Sequence, residues 1–272
     1  MDKQVTLQEA VQSVSGDDLR IAMGGVTLYR RPMAFSLALL AHNRHHSHPE
    51  RLTLINFTAG LESDLLVGEG MVASVRTCYF GLEVFGLAPH FTQAAAAGTL
   101  SIVEETEGSL ACGLRASMSG VGFMPSIGWL GTDLPKLRPD VKTIVDPYSG
   151  EELIAFPAIE IDVAIIHALQ ADPDGNALIG GNPGVDEELA LVADHVIVTT
   201  EEIVPALDRA DLIGPAVDAV VEAKQGAWPT SCHPLYPLDG NALLDYIEAA
   251  DGTDYDPLLS AWCGHHGIDL PG

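Results

Sequence analysis

Short apolar runs alternate with segments whose apolar positions recur at helical spacing, and this alternation organises most of the chain. It predicts a helix over residues 6–14 and a strand over Leu19–Met23. A helix then follows Pro32 over Met33–Ala41. Next come strand Leu52–Phe57, helix Leu61–Gly68, strand Val72–Phe80, helix Pro89–Ala97 and strand Thr99–Val103. Ser109–Ser119 reads as a further helix, with Leu110 and Leu114 one turn apart. Strand and helix in alternation predict an α/β fold, an open, mainly parallel sheet with helices on both faces. Phe123–Leu130 is broken by glycine, proline and aromatic residues, and the segment from Asp133 to Glu151 reads as a partly β excursion. Leu153–Phe156 and Ile161–Leu169 are strands, and the near-continuous apolar character of the second places it centrally. Asp172–Asn176 is a tight turn returning into Ala177–Gly180. Helix Asp186–Ala193, strand His195–Thr200 and a late strand Val217–Val221 complete a domain over residues 1–225. Residues 226–272 form a C-terminal extension, Pro-rich at first and helical over Asn241–Ala250.

Composition narrows the function classes. The chain has 272 residues, 47% of them apolar, which suffices for a sizeable core. It lacks an apolar run of bilayer-spanning length, and its first residues lack the apolar core of a secretory signal, so the expectation is a cytoplasmic protein. Acidic residues number 38 against 13 basic, for a net charge of −25. Such a surface repels nucleic acid and anionic membranes, and both are excluded as partners. The charge is spread along the chain. That favours a halophilic setting, a high-salt cytoplasm in which screening removes the self-repulsion. Cys78, Cys112, Cys232 and Cys263 form no CxxC pair, which argues for free thiols rather than a disulfide framework or a Cys-rich zinc site.

Candidate chemistry gathers in three places. Glu104, Glu105 and Glu107 stand between a strand end and a helix start, where open α/β folds place their sites. A solvated helix entrance in so acidic a chain accounts for them equally. Gly24 and Gly25 follow the first strand and precede a helix, an arrangement that lets the backbone approach an anionic ligand. Their spacing is neither GxGxxG nor a P-loop, and a plain turn uses the same residues. His42, His45, His46 and His48 crowd the end of that helix before Pro49. Histidines in a last turn meet its carbonyls, and no neighbouring carboxylate or cysteine completes a metal set, so no metal is expected. His167 reads as a core histidine, and Asp174-Gly175-Asn176 as a hairpin.

Three blocks then stand in order: Met23-Gly24-Gly25 with RRPMAF (Arg30–Phe35), ETEGSLACGLRA with GFMPSIGWLGTD, and HALQADPDGNA (His167–Ala177). Together they resemble the α subunit of two-subunit family I CoA-transferases of the glutaconate CoA-transferase type, over most of residues 1–225. ETEGSLACGL and RRPMAF also resemble a branch of CoA-ester hydrolases that open rings of steroid-breakdown intermediates. The resemblance implies an acyl/CoA pocket shared with a β subunit that carries a nucleophilic glutamate. Acyl-CoA and a small carboxylate would be the substrates, with no tightly bound cofactor. Gly24, Gly25, Arg30, Arg31 and Arg115 would then contact substrate or CoA. In the hydrolase branch Glu107 would be the general base, with Glu104 as fallback. Both branches usually carry an arginine two positions after the Met-Pro pair, where this chain has Ile127. A third reading is a non-catalytic acyl-CoA-binding subunit.

Overall fold

A computed structural model describes residues 2–14, 16, 18–46, 51–250 and 252–271. In chain order the elements are α1 (Leu7–Gln12), β1 (Arg20–Met23), α2 (Met33–His46), β2 (Leu52–Asn56), α3 (Leu61–Gly68), β3 (Val72–Thr77), α4 (Pro89–Ala97) and β4 (Ser101–Glu104). There follow α5 (Glu107–Met118), β5 (Phe123–Ser126), α6 (Leu134–Leu137), β6 (Lys142–Val145), β7 (Glu152–Pro157), β8 (Val163–Ala171) and β9 (Ala177–Leu178). The last are α7 (Asp186–Val192), β10 (His195–Ile203), β11 (Ala219–Glu222), α8 (Gly240–Ala249) and α9 (Tyr255–His265).

The main sheet has the order β11-β10-β8-β1-β2-β3-β4 and is parallel throughout, with β9 added antiparallel to β8. The two-residue period of the strands sorts side chains onto two faces. Ile21 and Met23 of β1 join the layer of α1, α2, α3, α8 and α9, whereas Ala22 joins α5 and α7 on the other side. Val163 and Ile165 of β8 repeat the first assignment, and Ala164 and Ile166 the second. This is the expected open sheet with helices on both faces. Leu243, Tyr246, Leu259 and Trp262 of the C-terminal helices lie in the same apolar layer as α2. Among the described residues no helix is long and apolar enough to cross a membrane.

Three elements differ from expectation. Residues 123–126 form β5, which pairs with β7 in a separate three-stranded sheet ordered β5-β7-β6. Its Pro125 is tolerated because β5 is the edge of that sheet. Strand β10 continues through Glu201 and Glu202 to Ile203, because β8 is equally long and pairs with it to the end. Helix α9 carries Pro257 in its first turn, where proline is accommodated, although in sequence it reads as a break.

The hairpin after β8 shows how local chemistry fixes a connection. Asp172 Oδ1 accepts the N–H groups of Asp174 and Asn176 at 3.1 and 3.0 Å, and Oδ2 accepts Asn176 Nδ2 at 2.9 Å and the Leu207 N–H at 3.3 Å. Burial alone would raise this carboxyl, but the bonds from Asn176, Leu207 and Asp174 hold it below the usual carboxylate range. A depressed folded pKa makes the contribution complete above the unfolded value near 4 and removes it as pH falls through the folded one. Asp172→Ala is therefore expected to cost about 2–3 kcal/mol at neutral pH and to flatten the acid limb of a urea-midpoint-against-pH curve. An unchanged limb in the variant would assign the acid sensitivity elsewhere.

Candidate functional site

Strand connections locate the site. From β1 the chain winds outward through β2 and β3 to β4, then returns to β8 on the opposite flank of β1. The C-terminal ends of β1 and β8 are therefore the point where the winding direction reverses, the place where open α/β sheets hold ligands. Gly24 and Gly25 leave β1 at that point.

The pair forms the start of a tight loop. Val26 and Tyr29 exchange backbone hydrogen bonds of 3.0 and 2.9 Å, and the chain takes left-handed conformations at Gly25, Thr27 and Arg30. Gly25 is clamped at both ends of its peptide units. Its N–H donates to Asp186 Oδ1 at 2.9 Å, and its carbonyl accepts from Arg31 NH1 at 2.9 Å. Asp186 stands at the start of α7 and also pairs with Arg30 NH2 at 2.9 Å. Arg31 pairs with Glu62 of α3, which in turn bonds Ser63 Oγ at 2.6 Å. Both arginines are fully buried. Arg30 also donates to the carbonyls of His167 and Asn182, at 2.7 and 2.9 Å. Burial pushes the Asp186 carboxyl up, and the Arg30 charge and the Gly25 N–H pull it back.

The Arg-Arg pair expected at the substrate thus lies beneath the loop, with its charge taken by Asp186 and Glu62. Physically this follows from packing: Arg30 and Arg31 lead directly into α2, whose first turns are wholly buried.

The second part of the site lies three strands away, about 14 Å at the usual strand spacing. Helix α5 begins one residue after Thr106, whose side chain caps it by accepting the Ser109 N–H. Trp129 Nε1 donates to the same hydroxyl at 3.0 Å, which folds the segment after β5 over the helix start. The three glutamates have separate fates. Glu104 and Glu107 are exposed. Glu105 is buried and neutralised by Arg76 NH2 at 2.7 Å and Arg138 NH1 at 2.8 Å, and it also bonds the Ser109 hydroxyl. Arg115 is exposed on α5, two turns beyond Glu107, about 12 Å along the axis.

Cys78 follows β3 between the two parts. Burial, then Glu105 and Glu107, push its thiol up to about 12, so it is protonated at neutral pH and unreactive as a nucleophile.

The remaining candidates fall outside this crevice. His42, His45 and His46 end α2, with His46 Nδ1 2.8 Å from the His42 carbonyl oxygen, while His48 and Pro49 lie outside the described residues. Among the described residues the histidines of α2 do not converge with other ligands on a common point. His167 is a fully buried residue with partners on both ring nitrogens.

Sequence reading passed over Asp186, Glu62, Arg76 and Arg138. Arg76 carried the clearest signal, a lone charge inside an apolar strand that must find an opposite one.

The same architecture recurs in known proteins. The coenzyme A transferase family model matches residues 5–223. The α-type subunit of 3-oxoadipate CoA-transferase from Pseudomonas knackmussii is 34% identical, over 96% of this chain and 92% of its own. The cholesterol ring-cleaving hydrolase IpdA subunit of Rhodococcus jostii is 32% identical, over 92% of this chain and 87% of its own. Among solved structures, a variant of the decarboxylase AibA/AibB superposes with a TM-score of 0.89 at 32% identity, covering 97% of this chain and all of that one. Glutaconate CoA-transferase from Acidaminococcus fermentans superposes with a TM-score of 0.84 at 30% identity, covering 98% of this chain and 89% of that one. The chain is a member of the coenzyme A transferase family, of the family I α-subunit type.

Proposed function

We propose that this chain is the α subunit of a heteromeric acyl-CoA:carboxylate CoA-transferase, and that it shapes the acyl and CoA pocket while a β subunit supplies the nucleophilic glutamate. The observation that carries the reading is the fate of Glu105. Among the three glutamates of the crevice it alone is shielded from water, and two arginines and a serine hydroxyl already occupy it. A carboxylate held in this way is a poor nucleophile and a poor base. The reacting carboxylate then comes from outside the chain, in keeping with relatives that are themselves named as single subunits of transferases.

Exposed apolar side chains along β4, the end of α5 and β5 support a covering partner. They include Ile102, Met118, Val121, Phe123 and Ile127, the last 70% exposed.

In the exchange, the partner's carboxylate attacks the thioester carbonyl and expels CoA thiolate, forming a mixed anhydride. The thiolate then attacks the glutamyl carbonyl and releases the free acid, leaving a glutamyl-CoA thioester. An acceptor carboxylate reverses the two steps and takes CoA away. Splitting the exchange in this way replaces one hard displacement by easier ones. Gly24, Gly25 and the start of α5 are the contributions of this chain. Arg115 remains at the surface as a cation for substrate or CoA, since Arg30 and Arg31 are engaged below the loop.

A second reading is favoured by the open position of Glu107 at the α5 N-terminus and by the hydrolase relatives: Glu107 would activate water for ring opening. Glu107→Gln separates the two. The hydrolase reading requires a loss of about 100-fold or more in turnover, the transferase reading a change within about tenfold.

The direct test treats the complex of both subunits with acyl-CoA and then hydroxylamine, in molar potassium chloride, and maps the hydroxamate by mass spectrometry. Label on the β subunit, with acetyl-CoA formed from added acetate, is the expected result. Label on this chain would move the nucleophile here. A water-added CoA product without exchange would establish the hydrolase, and carbon dioxide release would align the chain with the decarboxylase.

A further inference from the structure

Three side chains outside the crevice meet under the loop that follows β11. They are His167 of β8, Glu201 of β10 and Cys232, and their ligand atoms all lie within 4.8 Å of one another. His167 Nε2 is 2.9 Å from Glu201 Oε1, and His167 Nδ1 is 2.9 Å from Thr199 Oγ1. The Tyr236 hydroxyl donates to Glu201 Oε1, and the Gln225 N–H donates to Oε2 at 2.6 Å. His167 and Cys232 are fully buried. Glu201 reaches the lining of an open cavity of about 570 Å³, shared with Leu169, Gln170, Lys224 and Leu235.

We propose that His167, Glu201 and Cys232 form a binding site for a divalent transition-metal ion of the zinc type.

Four features of the cluster point to such an ion. The donor set is one imidazole nitrogen, one carboxylate oxygen and one sulfur, a mixture that zinc accepts and that magnesium and calcium do not favour. Charge closes: a carboxylate and a thiolate together offset a doubly charged ion, so the loaded cluster is neutral in a buried setting. The far ring nitrogen of His167 already has a partner of the kind that orients metal-bound histidines. In the loaded state Nδ1–H donates to Thr199 Oγ1, which frees the Nε2 lone pair for the ion. In the empty state Nε2–H donates to Glu201 instead. Finally, the cavity beside Glu201 gives the ion a route in and leaves a position for water as fourth ligand.

Loading is a proton exchange. The ion binds Nε2, the carboxylate and Sγ, and the Cys232 proton leaves to solvent. Burial, then Glu201, push that thiol up to about 12 in the empty state, so the ion must supply the charge that removes its proton.

The loaded site would staple the 227–236 segment to the sheet. That segment also touches the candidate crevice from below: the Ser231 carbonyl accepts the Arg30 N–H at 2.7 Å and Thr230 Oγ1 accepts the Arg31 N–H at 3.3 Å.

The test uses the full-length, untagged chain co-expressed with its β subunit, stripped by a chelator and reloaded with cobalt(II). The expected result is one cobalt retained per α chain through gel filtration, with a thiolate-to-cobalt charge-transfer band in the near ultraviolet that zinc displaces. The band should vanish in Cys232→Ser and weaken in His167→Gln, and it should survive in Cys78→Ser and Cys112→Ser. Circular dichroism confirms that each variant is folded. Wild-type protein that retains no cobalt, or cobalt held without the thiolate band, would overturn the proposal whatever the variants do. So would a band that persists at full strength in Cys232→Ser.

Discussion

Asp186→Ala is expected to cost the folded chain about 3–5 kcal/mol, the range for removing one member of a buried ion pair. Asp186 is 1% exposed and Arg30 is fully buried. Without the carboxylate the guanidinium keeps only the His167 and Asn182 carbonyls, and a cation is left in the interior without a counter-charge. The Gly25 N–H loses its acceptor as well. The Arg20–Asp162 pair at the start of β1 is the internal control, because its two side chains are 36% and 24% exposed. Removing Asp162 should cost no more than about 1 kcal/mol for the ion pair itself, since solvent screens it. The measurement is the urea midpoint of the two variants at constant slope. Equal losses would mean that burial does not govern the Arg30 pair. Asp186→Leu combined with Arg30→Met tests the role more finely. Replacing both charges by apolar groups should return part of the stability, while turnover of the complex should stay low, because neither residue then holds Gly25.

The layered fold was legible because it rests on period and run length. β1 and β8 are short apolar runs of the kind a parallel interior strand needs, and Pro89 and Gly98 bracket α4 at its two ends. The glycine loop was legible as a loop for the same reason: two adjacent glycines between a strand and a helix mark a backbone in an unusual conformation. What holds the loop was not legible. The Gly25–Asp186 bond spans 161 residues and the Arg31–Glu62 pair 31, and neither separation leaves a local pattern. Residue type also misled. An Arg-Arg pair beside glycines reads as an anion site, yet the buried start of α2 draws both guanidinium groups inward. Glu105 is the converse case. Between two other glutamates it reads as solvated, but it faces Arg76 from the neighbouring strand, and only the β3–β4 pairing brings the two together. The metal-type cluster is likewise invisible in spacing, because His167 and Glu201 stand 34 residues apart on adjacent strands.

Gly25→Ala is expected to lower turnover of the complex by about 100-fold or more, the scale on which a misplacement of about 1 Å at a reacting centre acts. The residue has φ +82°, and a methyl group there would lie 2.5 Å from the Tyr29 carbonyl oxygen and 2.6 Å from that of Arg30. Both are backbone atoms and cannot rotate away. The Tyr29 carbonyl is also the partner of the Val26 N–H, so relief of the clash opens the loop itself. Gly24→Ala is a graded comparison. Its backbone is not left-handed, and its methyl group would meet side-chain atoms, Asp186 Oδ1 at 3.0 Å and Ile166 Cγ1 at 3.1 Å. These can yield by a few tenths of an ångström, so a smaller loss is expected. Gly108→Ala completes the series within the other half of the crevice. A methyl group there meets nothing within 4 Å, and alanine in a helix is favoured over glycine by about 1 kcal/mol, so stability should rise. The order expected in kcat is Gly108→Ala above Gly24→Ala above Gly25→Ala. Wild-type kcat in a folded Gly25→Ala complex would remove the glycine loop from the reacting centre. It would leave the α5 end of the sheet, with Glu107, as the part of this chain nearest the chemistry.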